Sequence, residues 1–102
     1  MDKITRLSDA IMLGAMRRPQ CHGYFFEHGG SCALGAAIDS TGVKEDYDEL
    51  TRRFPELKRT MVSPIPLLSF RRQNLWEIIV ELNDLHDWTR ESIASWLESI
   101  GL

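Results

Sequence analysis

The sequence predicts an all-α protein, a single domain over residues 1–102 with about five short helices that end in an αα-hairpin. Three observations favour this class. Apolar residues recur at helical spacing in several segments, capping residues precede those segments, and proline or glycine separates them. With 102 residues, of which 43% are hydrophobic and 26% charged, the chain can bury one core without disulfides.

The first helix is predicted over residues 3–17. Ile4, Leu7 and Ile11 fall on one stripe at helical spacing. Pro19 cannot continue a helix, because it lacks the backbone N–H that the helix needs. We therefore expect the first helix to end just before Pro19.

Glycine and serine delimit the next two elements. The aromatic stretch at 23–28, followed by a glycine pair, predicts a minor β-hairpin, since aromatic residues favour strands and glycine permits a turn. Ser31 is a good N-cap for a second helix over 32–41, and Gly42 is placed to end it.

Prolines organise the middle of the chain. A third helix is predicted from about Asp46 to Phe54, and Pro55 opens a new turn at a first helical position. The two prolines in the stretch "SPIP" at 63–66 disfavour helix in the residues before them. This stretch is predicted to be an extended connector.

The last third of the chain predicts the αα-hairpin. Asn74 with Glu77 makes a capping-box-like start, and Thr89 caps the final helix. Trp88 and Ile93 have the spacing of a hydrophobic staple around Thr89. The apolar stripe of the first hairpin helix comprises Leu75, Ile78, Ile79, Leu82 and Leu85.

The bulk charge and hydropathy predict a cytoplasmic protein without a membrane partner. Charges in the first residues interrupt the apolar run that a signal peptide needs, and no stretch approaches the roughly 18–20 apolar residues of a membrane span. The net charge is −3, which argues against nucleic acid as a partner. Two cysteines are too few for a secreted disulfide scaffold.

Charge is nevertheless unevenly distributed. Residues 51–72 hold six Lys/Arg against Glu56 alone, and residues 73–102 hold six Asp/Glu against Arg90 alone. These regions either neutralise each other within the fold or form a basic patch for an acidic partner, including a second copy of the chain. Weak nucleic-acid binding through 52–72 stays open as an alternative. The basic binding candidates are Arg52, Arg53, Arg71 and Arg72.

The stretch "GGSCALGAA" at 29–37 allows a reactive thiol or a close packing seam. Cys32 lies in the first turn of a helix, where the dipole can lower a thiol pKa. Small residues on the same helix, and Ala10 and Gly14 on the first helix, would instead let two backbones approach closely. We favour the packing seam and keep Cys32 as a candidate thiol site.

A Cys/His cluster raises the question of metal binding or nucleophilic catalysis. Cys21 and His22 are adjacent and hard to direct at one ion, so no metal site and no cofactor are predicted. A histidine could activate Cys32 as a nucleophile, but nothing in the sequence shows that they meet. The other two histidines of the chain are His28 and His86.

The hairpin turn carries more polar groups than a simple connection requires. Asn and Asp side chains commonly make turns and caps, and Trp88 can serve as a staple. The alternative is a contact surface on an exposed turn. On that interpretation the binding candidates are Asn83, Asp84, His86 and Trp88.

Two stretches, "GGSCALGAAIDSTG" and "VELNDLHDWTRESIASWLE", resemble a group of small bacterial and phage proteins of uncharacterised function. Its pattern is a "CALGAA" helix followed by an "HLND-H-WTRE-IADW" ending, and many members carry a Cys-x-x-Cys pair upstream of that ending. This chain departs from the pattern, because it has no such pair between 43 and 80 and has Glu81 in place of the first histidine. The resemblance implies a shared fold and a bacterial or phage origin.

The sequence as a whole favours a non-enzymatic interaction or accessory protein that acts through a helical surface on a protein partner or as a homodimer. The alternative from another class is a small Cys/His site, either a thiol enzyme or a vestigial metal binder.

Overall fold

The computed structural model describes residues 4–67 and 73–102 and is mostly helical in these ranges, as predicted. The elements in chain order are α1 (Leu7–Ala15), β1 (Phe26–Glu27), β2 (Gly30–Ser31), α2 (Ala33–Thr41), α3 (Tyr47–Arg53), a 3-10 helix (Pro55–Lys58), α4 (Leu75–Asp84) and α5 (Arg90–Ser99).

Helix α1 is shorter than the predicted 3–17. Arg6 is extended at its N-cap, and the helix ends at Ala15. The carbonyl groups of Ala15 and Arg18 accept hydrogen bonds from the guanidinium of Arg90. The Arg90 side chain, which is distant in sequence, therefore hydrogen-bonds carbonyl groups at and just after the C-terminus of α1.

The β-hairpin lies a few residues later than the predicted 23–28. Phe26 pairs with Ser31 and Glu27 pairs with Gly30 in an antiparallel register. The turn between them has positive φ at His28 (50°) and Gly29 (80°), the backbone of a tight two-residue hairpin turn.

Helix α2 begins one residue later than predicted, because Cys32 and not Ser31 is its N-cap. The Cys32 Sγ accepts a hydrogen bond from the backbone N–H of Gly35 at 3.3 Å. Ser31 belongs to β2 and is fully buried. Gly42 ends α2 in the left-handed conformation, as predicted.

The predicted caps of the C-terminal hairpin are confirmed. The Asn74 side chain accepts from the Glu77 N–H at 2.9 Å, and the Thr89 hydroxyl accepts from the Ser92 N–H at 3.0 Å. Helices α4 and α5 contact each other across a short turn. The fold therefore ends in the αα-hairpin that the sequence predicts.

The helices enclose one hydrophobic core. Helix α1 packs against α2 and α5, and α4 packs against α2, α5 and the 3-10 helix. A Cβ added at Gly14 would lie 1.9 Å from the Ala36 carbonyl oxygen, so the predicted close seam between α1 and α2 is confirmed. Each of the helices α1 to α5 contributes fully buried side chains, which include Leu7, Ile11, Leu34, Leu50, Ile78, Leu82, Ile93 and Leu97, and Phe54 at the C-cap of α3 is also fully buried.

Among the residues that the structure describes, none of the helices has the length and apolar character needed to cross a membrane.

Candidate functional site

An aromatic groove of about 390 Å³ lies between residues 23–26, here called the arm, the first turn of α2 and the outer side of α4. Its volume is in the range of ligand-binding pockets. Aromatic and aliphatic side chains dominate the lining, with a few polar groups among them. The lining residues are Gly23, Tyr24, Phe25, Phe26, Cys32, Ala33, Leu34, Glu45, Trp76, Ile79, Val80, Asn83 and Asp84.

The arm at residues 23–26 forms one wall of the groove because it lies directly on α2. The Phe25 carbonyl accepts a hydrogen bond from the Cys32 N–H at 3.1 Å. A Cβ added at Gly35 would lie 2.0 Å from the same carbonyl oxygen. Only glycine therefore allows this approach. Gly35 contributes to the packing of the arm, while Gly14 makes the seam between helices.

Trp76 on α4 forms the opposite wall. Its ring packs edge-on against Phe25, with ring centroids 5.8 Å apart, and against Tyr47 of α3, with centroids 4.7 Å apart. Edge-to-face pairs of this kind stabilise the arrangement beyond their buried area. The three rings therefore join the arm, α3 and α4 into one aromatic surface.

A second cavity, here called the flanking cavity, lies along α4 and has a volume of about 430 Å³. Trp76, Val80 and Asp84 line both cavities. They are spaced by four residues, so they form one stripe along α4. This outer stripe lies beside the core stripe and separates the two cavities. The flanking cavity is also lined by Gln73, Glu77, Glu81 and Leu85.

The side chain of Asn83 holds the floor of the groove together. Its Oδ1 accepts from the Gln20 side-chain amide at 2.9 Å and from the Ala33 N–H at 3.2 Å. Its Nδ2 donates to the Cys21 carbonyl at 3.0 Å and to Asp84 Oδ1 at 2.7 Å. Asn83 is only 1% exposed. This predicted binding residue therefore uses its polar groups within the fold, and its burial corrects the expectation that it lies on an exposed turn.

Asp84 holds the start of the arm with one of its two carboxylate oxygens. Its Oδ1 accepts from the Gly23 N–H at 2.9 Å, which holds the start of the arm. Its other carboxylate oxygen has no hydrogen-bond partner among the described residues, and Glu45 makes no ion pair with them. Asp84 and Glu45 therefore bring negative charge to the groove, with no ion pair from the described part of the chain.

Arg90 is a buried structural residue that sequence reasoning missed. Its Nη1 donates to the Ser31 hydroxyl at 2.9 Å and to the carbonyls of Ser31 and Pro19, and its Nη2 donates to the carbonyls of Arg18 and Ala15. Arg90 thus links α5 to α1 and to β2. The only signal in the sequence is that it is the single cation in the acidic last third.

The two thiols are free and buried. Burial raises the pKa of Cys32 to about 11, against an ordinary value of 9.0, although hydrogen bonds from backbone N–H groups oppose the shift. Burial also raises the pKa of Cys21, whose Sγ donates to the Tyr24 carbonyl at 3.4 Å. Both thiols are therefore protonated at neutral pH.

The structure separates the histidines from one another. His22 Nε2 lies 3.1 Å from Asp87 Oδ1, His86 Nε2 lies 3.1 Å from Glu81 Oε2, and His28 lies on the exposed hairpin turn. Within residues 4–67 and 73–102, no three His, Cys, Asp or Glu side chains are grouped so that they could hold a metal ion.

Three further predicted site residues, Arg52, Arg53 and Trp88, do not line the groove. Arg52 is exposed and pairs with Glu49 at 2.9 Å, and Arg53 donates to the Ile4 carbonyl. Trp88 is half-buried, and its carbonyl accepts from the Gln20 side chain at 2.8 Å. Arg71 and Arg72 fall outside the described residues.

A scan against protein-family models, a search of curated proteins and a search of solved structures found no match to this chain. The family resemblance and the bacterial or phage origin therefore stay predictions.

Proposed function

We propose that this chain is a non-enzymatic interaction protein of bacterial or phage origin, located in the cytoplasm, that binds a protein partner along the outer face of α4. The observation that carries the proposal is the stripe of Trp76, Val80 and Asp84, which lines a cavity on each side. Leu85, at the end of α4, is 61% exposed and continues the apolar surface.

The composition of this face supports protein binding. Tryptophan, tyrosine and phenylalanine are enriched in the buried centres of protein interfaces, where a side chain of the partner fills a pocket. The aromatic groove offers such a pocket, and its walls are fixed by Phe25 and Trp76. A partner can therefore insert an apolar side chain without first rearranging the fold.

The environment of Cys32 does not favour the alternative of a thiol enzyme. The thiolate is the nucleophilic form of cysteine, and burial keeps the Cys32 thiol protonated at neutral pH with a pKa of about 11. If Cys32 were catalytic, it would react with iodoacetamide faster than a free cysteine at pH 7. We expect Cys32 to be labelled much more slowly than a free cysteine.

The basic residues of the segment 52–72 support nucleic-acid binding less than the α4 face supports protein binding. Arg52 is already paired with Glu49, and Arg53 is engaged with a backbone carbonyl. Lys58 Nζ lies 6.0 Å from the centroid of the Tyr47 ring. Binding to nucleic acid would weaken steeply with added salt, whereas the proposed apolar contact would weaken only modestly.

Self-association is a second candidate, because the basic Lys58 lies near the acidic aromatic groove. Lys58 contacts Tyr47, which in turn packs on Trp76 beside the acidic groove. A twofold arrangement could bring the basic surface of one copy to the acidic surface of the other. Sedimentation equilibrium at low and high salt would detect such a homodimer.

Comparison of Val80→Glu with Val62→Glu tests the proposed surface. Val80 lines both cavities, whereas Val62 is 90% exposed and lines neither. Each tagged variant is used to enrich proteins from a bacterial lysate, and the protein retained by wild type is then purified and titrated by calorimetry. We expect Val62→Glu to bind the partner as wild type does, and Val80→Glu to show no binding.

Leu85→Glu provides a second test at an exposed position, where folding is not at risk. Thermal melts establish that each variant is folded. If the purified partner binds wild type, Val80→Glu and Leu85→Glu with equal affinity, or if wild type binds no partner directly, the proposal is wrong.

A further inference from the structure

The charge around the aromatic groove restricts the kind of partner it can accept. Among the described residues, one carboxylate oxygen of Asp84 has no hydrogen-bond partner and Glu45 has no ion pair. No lysine or arginine from residues 4–67 or 73–102 lines the groove or the flanking cavity. Glu77 adds a further carboxylate on the flanking side. The carboxylates of Asp84, Glu45 and Glu77 therefore border the apolar surface without a lysine or arginine partner among the described residues.

The aromatic walls favour the same charge. A cation near the face of a tryptophan or tyrosine ring is attracted by the quadrupole of the ring, and the long stems of lysine and arginine pack well on apolar surface. Tyr24 and Trp76 supply such rings next to Asp84 and Glu45. An acidic partner segment would instead face both the carboxylates and the negative ring faces.

From these contacts we infer that the partner presents a basic apolar segment, in which one aromatic or aliphatic side chain enters the groove and neighbouring lysine or arginine side chains reach Asp84 and Glu45. This inference rests on the proposed function and names the chemistry of its partner. Charge complementarity decides this choice, because it favours correct partners and disfavours acidic ones.

A second copy of the chain fits this description less well. On its α3, the exposed Arg52 pairs with Glu49 and the half-buried Arg53 binds the Ile4 carbonyl. Lys58 lies against Tyr47 of its own chain. A second copy that docked through these three cations would have to exchange their present contacts, whereas a separate basic segment reaches Asp84 and Glu45 without such an exchange.

The test uses two fluorescein-labelled synthetic peptides of 12 residues, one built from leucine, tryptophan and lysine and the other with glutamate in place of each lysine. Binding to the full chain is measured by fluorescence anisotropy at physiological salt. The variant Glu45→Gln/Asp84→Asn removes both groove charges while keeping an oxygen acceptor for Gly23. Glu91→Gln/Glu98→Gln is the matched control, with the same change in net charge on exposed positions of α5.

We expect the lysine peptide to bind and the glutamate peptide not to bind. The groove variant should weaken binding of the lysine peptide about 3- to 30-fold, and the control variant by less than about twofold. Equal weakening by both variants would mean general attraction by net charge and would overturn the inference. Equal binding of the two peptides, no binding of either, or a groove closed by self-association in sedimentation would also overturn it.

The two proposals fail in different ways. If Val80→Glu abolishes binding of the purified partner but Glu45→Gln/Asp84→Asn leaves it unchanged, the interaction surface stands and the basic character of the partner is wrong. If neither variant changes binding of the purified partner, the proposed function itself is wrong.

Discussion

The side chain of Asn83 in α4 accepts a hydrogen bond from the backbone N–H of Ala33, the first residue of α2 and 50 positions earlier in the chain. The first N–H groups of a helix have no partner within the helix, so they need one from elsewhere. Because Asn83 is buried, water cannot replace it. The amide side chain of one helix thus completes the N-terminus of another.

Asn83→Ala should destabilise the protein by about 3 kcal/mol, because the change leaves several buried donors and acceptors unpaired. Asn74→Ala is the matched control. Asn74 only caps α4, so its loss should cost about 1 kcal/mol. Urea unfolding followed by circular dichroism measures both. Equal losses in the two variants would contradict the role assigned to Asn83.

Arg90→Met should destabilise by about 3 kcal/mol, since Arg90 donates to carbonyl groups of α1, Pro19 and Ser31. Arg90→Lys should recover less than half of this loss, because an ammonium group cannot reproduce the planar fork of the guanidinium. Arg52→Met, at an exposed ion pair, should change stability by less than about 0.5 kcal/mol. A fully stable Arg90→Met variant would disprove the linking role.

Gly35→Ala should destabilise by at least about 2 kcal/mol, because the new methyl group would meet the Phe25 carbonyl oxygen at 2.0 Å. Backbone atoms cannot move aside as a flexible side chain can. Ser95→Ala, on the exposed side of α5, is a helix control with little expected effect. Chemical denaturation measures the free energy of unfolding of the two variants. Equal values would contradict the close approach of Gly35 to the Phe25 carbonyl.

Cys32 should make stability fall at high pH. Its folded pKa of about 11 exceeds the ordinary 9.0, so the folded state holds the thiol proton more tightly. The stabilisation is complete below pH 9 and is lost as the pH rises towards 11, by about 2 kcal/mol at pH 11. Unfolding of wild type and Cys32→Ala is compared from pH 8 to 11. Parallel curves would contradict the prediction.

Local signals were enough to predict most of the secondary structure. The Asn74 and Thr89 caps and the Gly42 end follow from the chemistry of single residues next to a periodic stripe. The position of the β-hairpin does not follow in this way. Its strands are only two residues long, and their placement depends on the contact of Phe25 with α2.

The candidate site was harder to predict because its parts come from distant segments. Asn83 and Arg90 appear in the sequence as polar residues of an acidic hairpin, and only the folded chain shows which carbonyls and N–H groups they reach. Trp76 and Val80 lie beside the core stripe of α4. Apolar residues outside the core stripe are the sequence signal that could have predicted an outer apolar face.

The arm at residues 23–26 is held to α2 through the Phe25 carbonyl and the space left by Gly35. Main-chain contacts therefore help to fix the position of this wall. The side chain of Tyr24, which is 64% exposed, can be exchanged without loss of that support. A library varied at Tyr24 and Phe26 would consequently keep the same cleft while presenting new surfaces to a ligand, which makes this small domain a starting scaffold for engineered binding proteins.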